Sequence, residues 1–202
     1  MNQLDKGIDM ASAKSTKATG SAKPLKKKPT WTDVKSAIAG FERSALIGLI
    51  SNLYTFSSEN KDFLHARFSL CADVLKPYKK TIEEALYPDV MSNDDVEIAT
   101  AKKAISNYGK AVGDPKGMLE LMVYFVECGA GFSLDVGYGD EVFFASLERM
   151  YEKAIKLLLT LDEATIDDYY GRFEELVTST RDIGWGFHDT LGDVFSEAFP
   201  EE

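Results

Sequence analysis

This 202-residue chain has only two histidines and two cysteines, so imidazole and thiolate, the nitrogen and sulfur donors of metal sites, are scarce. Cys71 and Cys128 stand far apart, outside any C-x-x-C spacing, in stretches patterned as helix. No zinc ribbon or disulfide framework is written here, and two reduced thiols are expected. No apolar run, 45–50 being typical, approaches the roughly 18–20 residues a membrane-crossing helix needs, so no span is expected. The N-terminus carries lysines with no apolar stretch after them, unlike a secretory signal, and a cytoplasmic location is the default expectation. Also missing are a G-x-S-x-G elbow, a P-loop and a G-x-G-x-x-G cradle following a strand. Period-two alternation is confined to Phe132, Leu134 and Val136, which Gly137 and Gly139 interrupt. A brief extended loop over 132–140 is the expectation there.

What the chain does contain is helical periodicity. Between 142 and 161, Phe143, Leu147, Met150, Tyr151, Ala154, Leu157, Leu158 and Leu161 recur at three- and four-residue steps, one apolar face of a long helix that needs neighbours to cover it. It reads as the spine of a bundle. Further stripes follow the same rule: Val34, Ala37, Ile38 and Phe41 after Thr32; Leu46, Ile47, Ile50, Leu53 and Tyr54; Phe63, Leu64, Phe68 and Leu70 after a Ser57 or Ser58 cap. A fourth helix lies within 71–86, with Pro77 at a break or in a first turn. Ser92-Asn93-Asp94-Asp95 caps a fifth, with Ile98, Ala101, Ile105 and Tyr108. Asp114-Pro115 places a capping oxygen and then a preset φ ahead of Met118, Leu119, Met122, Val123 and Val126, with Gly129 and Gly131 as the stop. Asp140 caps the spine. Thr165 to Asp168 caps a helix bearing Tyr169, Phe173 and Leu176, and a last segment runs over 183–199. The expectation is an all-α fold of eight or nine helices over 31–200, as a multi-helical bundle or a HEAT-like stack of hairpins.

Charge divides the chain. Residues 1–30 hold seven lysines against Asp5 and Asp9, a balance of +5, which leaves −15 on the remainder of a chain whose total is −10. This leader is rich in Ser, Ala, Thr and Gly and has no apolar face, so a disordered basic tail is expected. Lys23, Lys26, Lys27 and Lys28, interrupted by Pro24 and Pro29, form a cluster able to meet nucleic acid or an anionic surface. It serves equally as a solubilising leader. The acidic body repels phosphate backbones and is not itself a nucleic-acid reader.

Few polar residues invite chemistry. Asp62 and His65 share a helix face, with Arg67 close by. Were His188 and Asp189 to meet them, a carboxylate–histidine metal site would result. The paired Glu-x-x-His of di-iron bundles is missing, so structural histidines are favoured and no metal, cofactor or catalytic residue is assigned. The acid pairs Glu83-Glu84, Asp94-Asp95, Asp167-Asp168 and Glu174-Glu175 are explained by helix dipoles and solvation. The densest polar and aromatic group is Arg181, Asp182, Trp185, His188 and Asp189. Exposed, Trp185 suits a partner groove; buried, it closes the bundle with Arg181 paired to an acid. Gly184 and Gly186 on either side of it mark a helix junction.

The segments ENKDFLHARF (59–68), KAISNYGKAVGDPKGMLELMVYFVE (103–127) and IGWGFHD (183–189) together resemble a bacterial all-helical family of unknown function, over 31–200. The resemblance implies a helical, bacterial and cytoplasmic protein and brings no activity or ligand. The functional expectation is a non-enzymatic protein–protein interaction module. Two alternatives stand beside it: a nucleic-acid-associated regulator working through the basic tail, and a metal-assisted hydrolase around His65 and His188.

Overall fold

The computed structural model describes residues 28–91 and 95–200. The tail expected over 1–30, with Lys23, Lys26 and Lys27, lies almost wholly outside the described residues, as do Ser92, Asn93 and Asp94 of the expected fifth cap. Among the described residues there are nine α-helices and no strand, so the chain is all-α. The chain separates into two compact units, Met1–Leu46 and Ile47–Glu202. The boundary falls within the stretch 31–200 expected to form one domain.

The first unit contains α1 (Trp31–Ile38) and the opening of α2 (Arg43–Phe56). The Asp33 carboxylate accepts from the Thr30 backbone N–H and hydroxyl at 2.7 and 2.8 Å, so the helix is capped from Thr30 and not from Thr32.

The second unit begins inside α2 and continues through α3 (Ser58–Arg67), α4 (Lys76–Leu86), α5 (Ile98–Ala111), α6 (Pro115–Val136), α7 (Glu141–Leu158), α8 (Glu163–Ser179) and α9 (Phe187–Ala198). Several caps are the ones the residues announce. Ser57 accepts from Asn60 N, Asp114 from Gly117 N with Pro115 in the first turn, and Asp140 from Phe143 N. Pro77 also lies in a first turn, where its missing N–H costs no helical bond. Elsewhere the chain departs from expectation. Asp162, rather than Thr165, caps α8, because its carboxylate takes both the backbone N–H and the hydroxyl of Thr165.

The largest departure is α6. It runs through Gly129 and Gly131 to Val136 and stops at Gly137, whose φ of 69° ends it in the left-handed region. Its last turns therefore take up half of the expected extended loop. Gly129 is there for packing: a Cβ at that position would sit 2.5 Å from Leu147 Cδ2, so the glycine lets α7 approach closely. Eleven residues of α6 are buried, and it packs on α4, α5, α7 and α8, while α7 reaches α6, α8 and α9. The centre of the core is thus α6 with α7, not α7 alone. By length and composition α6 is long and apolar enough to cross a bilayer, but 61% of its most apolar window is buried inside the fold, as suits a core helix.

A file of aromatic rings stitches the far end together. Tyr87, Phe132, Tyr138, Phe143, Phe144 and Phe187 follow one another with centroids 5.1–5.4 Å apart. Each such contact contributes about 0.5–1.5 kcal/mol beyond burial. The file links the end of α4 to α6, the 137–140 turn, α7 and the start of α9.

By contrast, α2 has no buried residue. Its stripe Ile47, Ile50 and Leu53, expected to be a packing face, is about half exposed, and Phe56 is 83% exposed. Phe68 and Leu70 follow the end of α3 in the same state rather than extending it.

Candidate functional site

The residues between α8 and α9 form a turn held firmly on both sides. Thr180 is fully buried and donates its hydroxyl to the Leu176 carbonyl at 2.7 Å, and Ile183 N–H donates to Thr180 O. On the other side Phe187 is fully buried at the end of the aromatic file. Between these anchors Trp185 has φ 64° and Gly186 φ 72°. A left-handed conformation is routine for glycine but costs a residue with a Cβ about 1–2 kcal/mol. Trp185 bears that cost while 68% exposed, so its own burial does not explain it.

Beside the indole opens a cleft of about 320 Å³. One wall comes from Ser133 and Leu134 at the end of α6, another from Tyr138 in the following turn, the third from Asp182 to Trp185. Arg181, next to it, is exposed and forms no ion pair among the described residues. The alternative of a buried Trp185 with Arg181 paired to an acid is therefore not what the fold contains. Asp189 is exposed in the first turn of α9, where the helix dipole favours an acid.

The remaining candidates are dispersed. His188 Nδ1 lies 2.9 Å from the Val177 carbonyl near the end of α8, tying α9 to it. His65 Nε2 lies 3.0 Å from the Tyr54 hydroxyl, and Arg67 Nη1 donates to the Ala111 carbonyl at the end of α5. Each imidazole thus has its own structural partner, and among the described residues no three His, Cys, Asp or Glu side chains gather to hold a metal ion. Asp62 lines a small cavity between α3, α4 and α5 together with Tyr78 and Asn107.

One polar cluster escaped the sequence analysis. Glu120 of α6 accepts from Lys79 Nζ, Arg172 Nη1 and the Tyr169 hydroxyl, all at 2.6 Å, while Arg172 forks onto Glu127 through Nε and Nη2 at 2.8 Å. Burial alone would raise the Glu120 pKa, but the hydrogen bonds from Arg172, Lys79 and Tyr169 outweigh it and bring it down to about 2. Every charge here is paired, so the cluster joins α4, α6 and α8 and leaves no group free for chemistry. A signal did exist: Glu120 and Glu127 lie seven apart on one face of an apolar helix, and Arg172 is the sole cation of α8.

Cys128 is buried and its thiol is pushed up to about 12, by desolvation first, which makes it a poor nucleophile. No protein-family model, curated protein or solved structure matches the chain.

Proposed function

We propose that this chain is a non-enzymatic helical module that docks another protein through the Trp185 surface. The observation that carries the reading is Trp185 itself: 68% exposed, in a left-handed backbone, at the edge of a cleft of about 320 Å³. Backbone strain that local packing does not explain concentrates at functional sites. Tryptophan and arginine are the side chains that anchor interfaces, and exposed Arg181 forms no ion pair among the described residues. The complementary surface is an apolar pocket for the indole with a carboxylate at its rim for Arg181. The bacterial and cytoplasmic setting implied by the family resemblance belongs to the same proposal.

Affinity capture from the native cell with the full chain, alongside Trp185→Ala and Arg181→Glu, is the test. A partner held by the unaltered chain and lost from both variants is the expected result; identical partners from all three would exclude this surface.

The nucleic-acid alternative rests on Lys23, Lys26, Lys27 and Lys28, and it requires salt-dependent binding that deletion of residues 1–30 removes. The hydrolase alternative gains no support from two imidazoles held by separate structural partners.

A further inference from the structure

The cavity between α3, α4 and α5 is lined by a tyrosine whose buried hydroxyl has no partner among the described residues, and this sets it apart from the docking surface. Tyr78 is 95% buried by the 5% exposure that remains to it, and its hydroxyl has no hydrogen-bond partner among the described residues. A buried hydroxyl without a partner is rare in native proteins and signals a water, ion or ligand that completes it. Asp62, opposite on α3, forms no ion pair or hydrogen bond among the described residues, and its charge reaches the phenol. Burial chiefly, then that carboxylate, push the Tyr78 hydroxyl up to about 12, so it is protonated and polar at neutral pH. Asn107 on α5 brings a third polar group with no bond of its own among the described residues. The other charges nearby cancel, because Lys103 Nζ holds Glu59 Oε1 at 2.9 Å. One negative charge is left over.

We propose that this cavity binds the primary ammonium group of a small alkylamine, with Asp62, Tyr78 and Asn107 accepting its three N–H donors. The charge fits, since a cation neutralises Asp62 whereas an anion would be repelled by it. The count fits too: an ammonium presents three donors and no acceptor. So does the size. Room of about 70 Å³ holds about five water-sized positions, enough for an ammonium and a short alkyl chain, and a quaternary amine has no N–H to give these acceptors. Among the described residues no three His, Cys, Asp or Glu side chains gather to hold a metal ion, here or elsewhere.

The test is titration of the ¹⁵N-labelled full chain at pH 7 with ethylammonium chloride, ionic strength being held with sodium chloride, and with tetramethylammonium chloride and ethanol as matched probes. Saturable amide shifts confined to 59–62, 78–81 and 100–107, seen with ethylammonium and with neither matched probe, are expected. Asp62→Asn is expected to weaken binding by about tenfold or more, the weight of a charge-assisted hydrogen bond. Tyr78→Phe, which removes one oxygen from the cavity wall, provides a second readout: ethylammonium raises the melting temperature of the unaltered chain and raises that of the variant less. Nα-acetyl-lysine amide distinguishes the source. Binding of ethylammonium alone identifies a free amine, and binding of both identifies a lysine side chain. The proposal is overturned if ethylammonium causes no saturable shift, if tetramethylammonium causes the same shifts, or if Asp62→Asn binds as tightly as the unaltered chain.

Discussion

Replacing Trp185 by alanine and by glycine separates strain from packing at one position. With 68% of the residue exposed, about a third of it is covered. A tryptophan buries roughly 150–250 Å² when enclosed, so a third is about 50–80 Å², or about 1.2–2 kcal/mol at 25 cal/mol per Å². Both variants lose that. They part company over the backbone, because φ at 185 is 64°. Alanine keeps the left-handed cost of about 1–2 kcal/mol, while glycine escapes it and gives back about 0.5–1 kcal/mol through its freer unfolded chain. Trp185→Gly should therefore be more stable than Trp185→Ala by about 0.5–1 kcal/mol, the reverse of their order in a helix. Urea denaturation followed by circular dichroism reads the difference as a shift in midpoint at constant slope. Equal stability, or alanine ahead, would show that residue 185 is not left-handed. A loss above about 3 kcal/mol for alanine would show a core tryptophan and remove the basis for a docking role.

Acid should unfold the protein partly through Glu120. Its folded pKa of about 2 lies below the unfolded value of about 4.5, so its contribution is complete above pH 4.5 and is lost as pH falls toward 2. Glu120→Gln is expected to be about 2–3 kcal/mol less stable near neutrality and to lose less stability over that acid range, measured by denaturant midpoints against pH. Gly48→Ala should stabilise by about 1 kcal/mol, because nothing lies within 4 Å of the added Cβ. Gly117→Ala should destabilise by about 1–3 kcal/mol, because its Cβ would fall 2.0 Å from the buried Tyr108 hydroxyl; thermal melts of the pair check both signs. A thiol reagent should modify exposed Cys71 in the native protein and buried Cys128 only after unfolding.

The fold was legible wherever a helix boundary is decided by neighbours in the chain. Asp114-Pro115 and Asp140 announce α6 and α7, because an acceptor three residues before a free N–H needs no tertiary help. Gly129 misled for the opposite reason. Its local meaning is a stop, but its role is set by Leu147, eighteen residues on, which needs the space. The α2 stripe shows another limit. Ile47, Ile50 and Leu53 declare an apolar face, and periodicity alone does not say whether another helix covers it.

The same distinction sorts the polar residues. In sequence, Asp62, His65, Arg67, Arg181, Trp185 and His188 are equal candidates; what separates them is whether the fold supplies a partner. His65 has Tyr54, His188 has the Val177 carbonyl and Arg67 the Ala111 carbonyl, all structural bonds. Glu120, which local sequence does not mark, accepts from three donors on two other helices, all at 2.6 Å. Trp185 and Arg181 are exposed with no hydrogen bond or ion pair among the described residues, and Asp62 lines the same cavity as Tyr78, whose hydroxyl has no partner there. A buried or strained polar group left unpaired costs stability, and a fold keeps such groups where something outside the chain completes them. Among the described residues, strain at Trp185 and the orphaned Tyr78 hydroxyl are the observations on which the proposed docking surface and the proposed amine cavity rest.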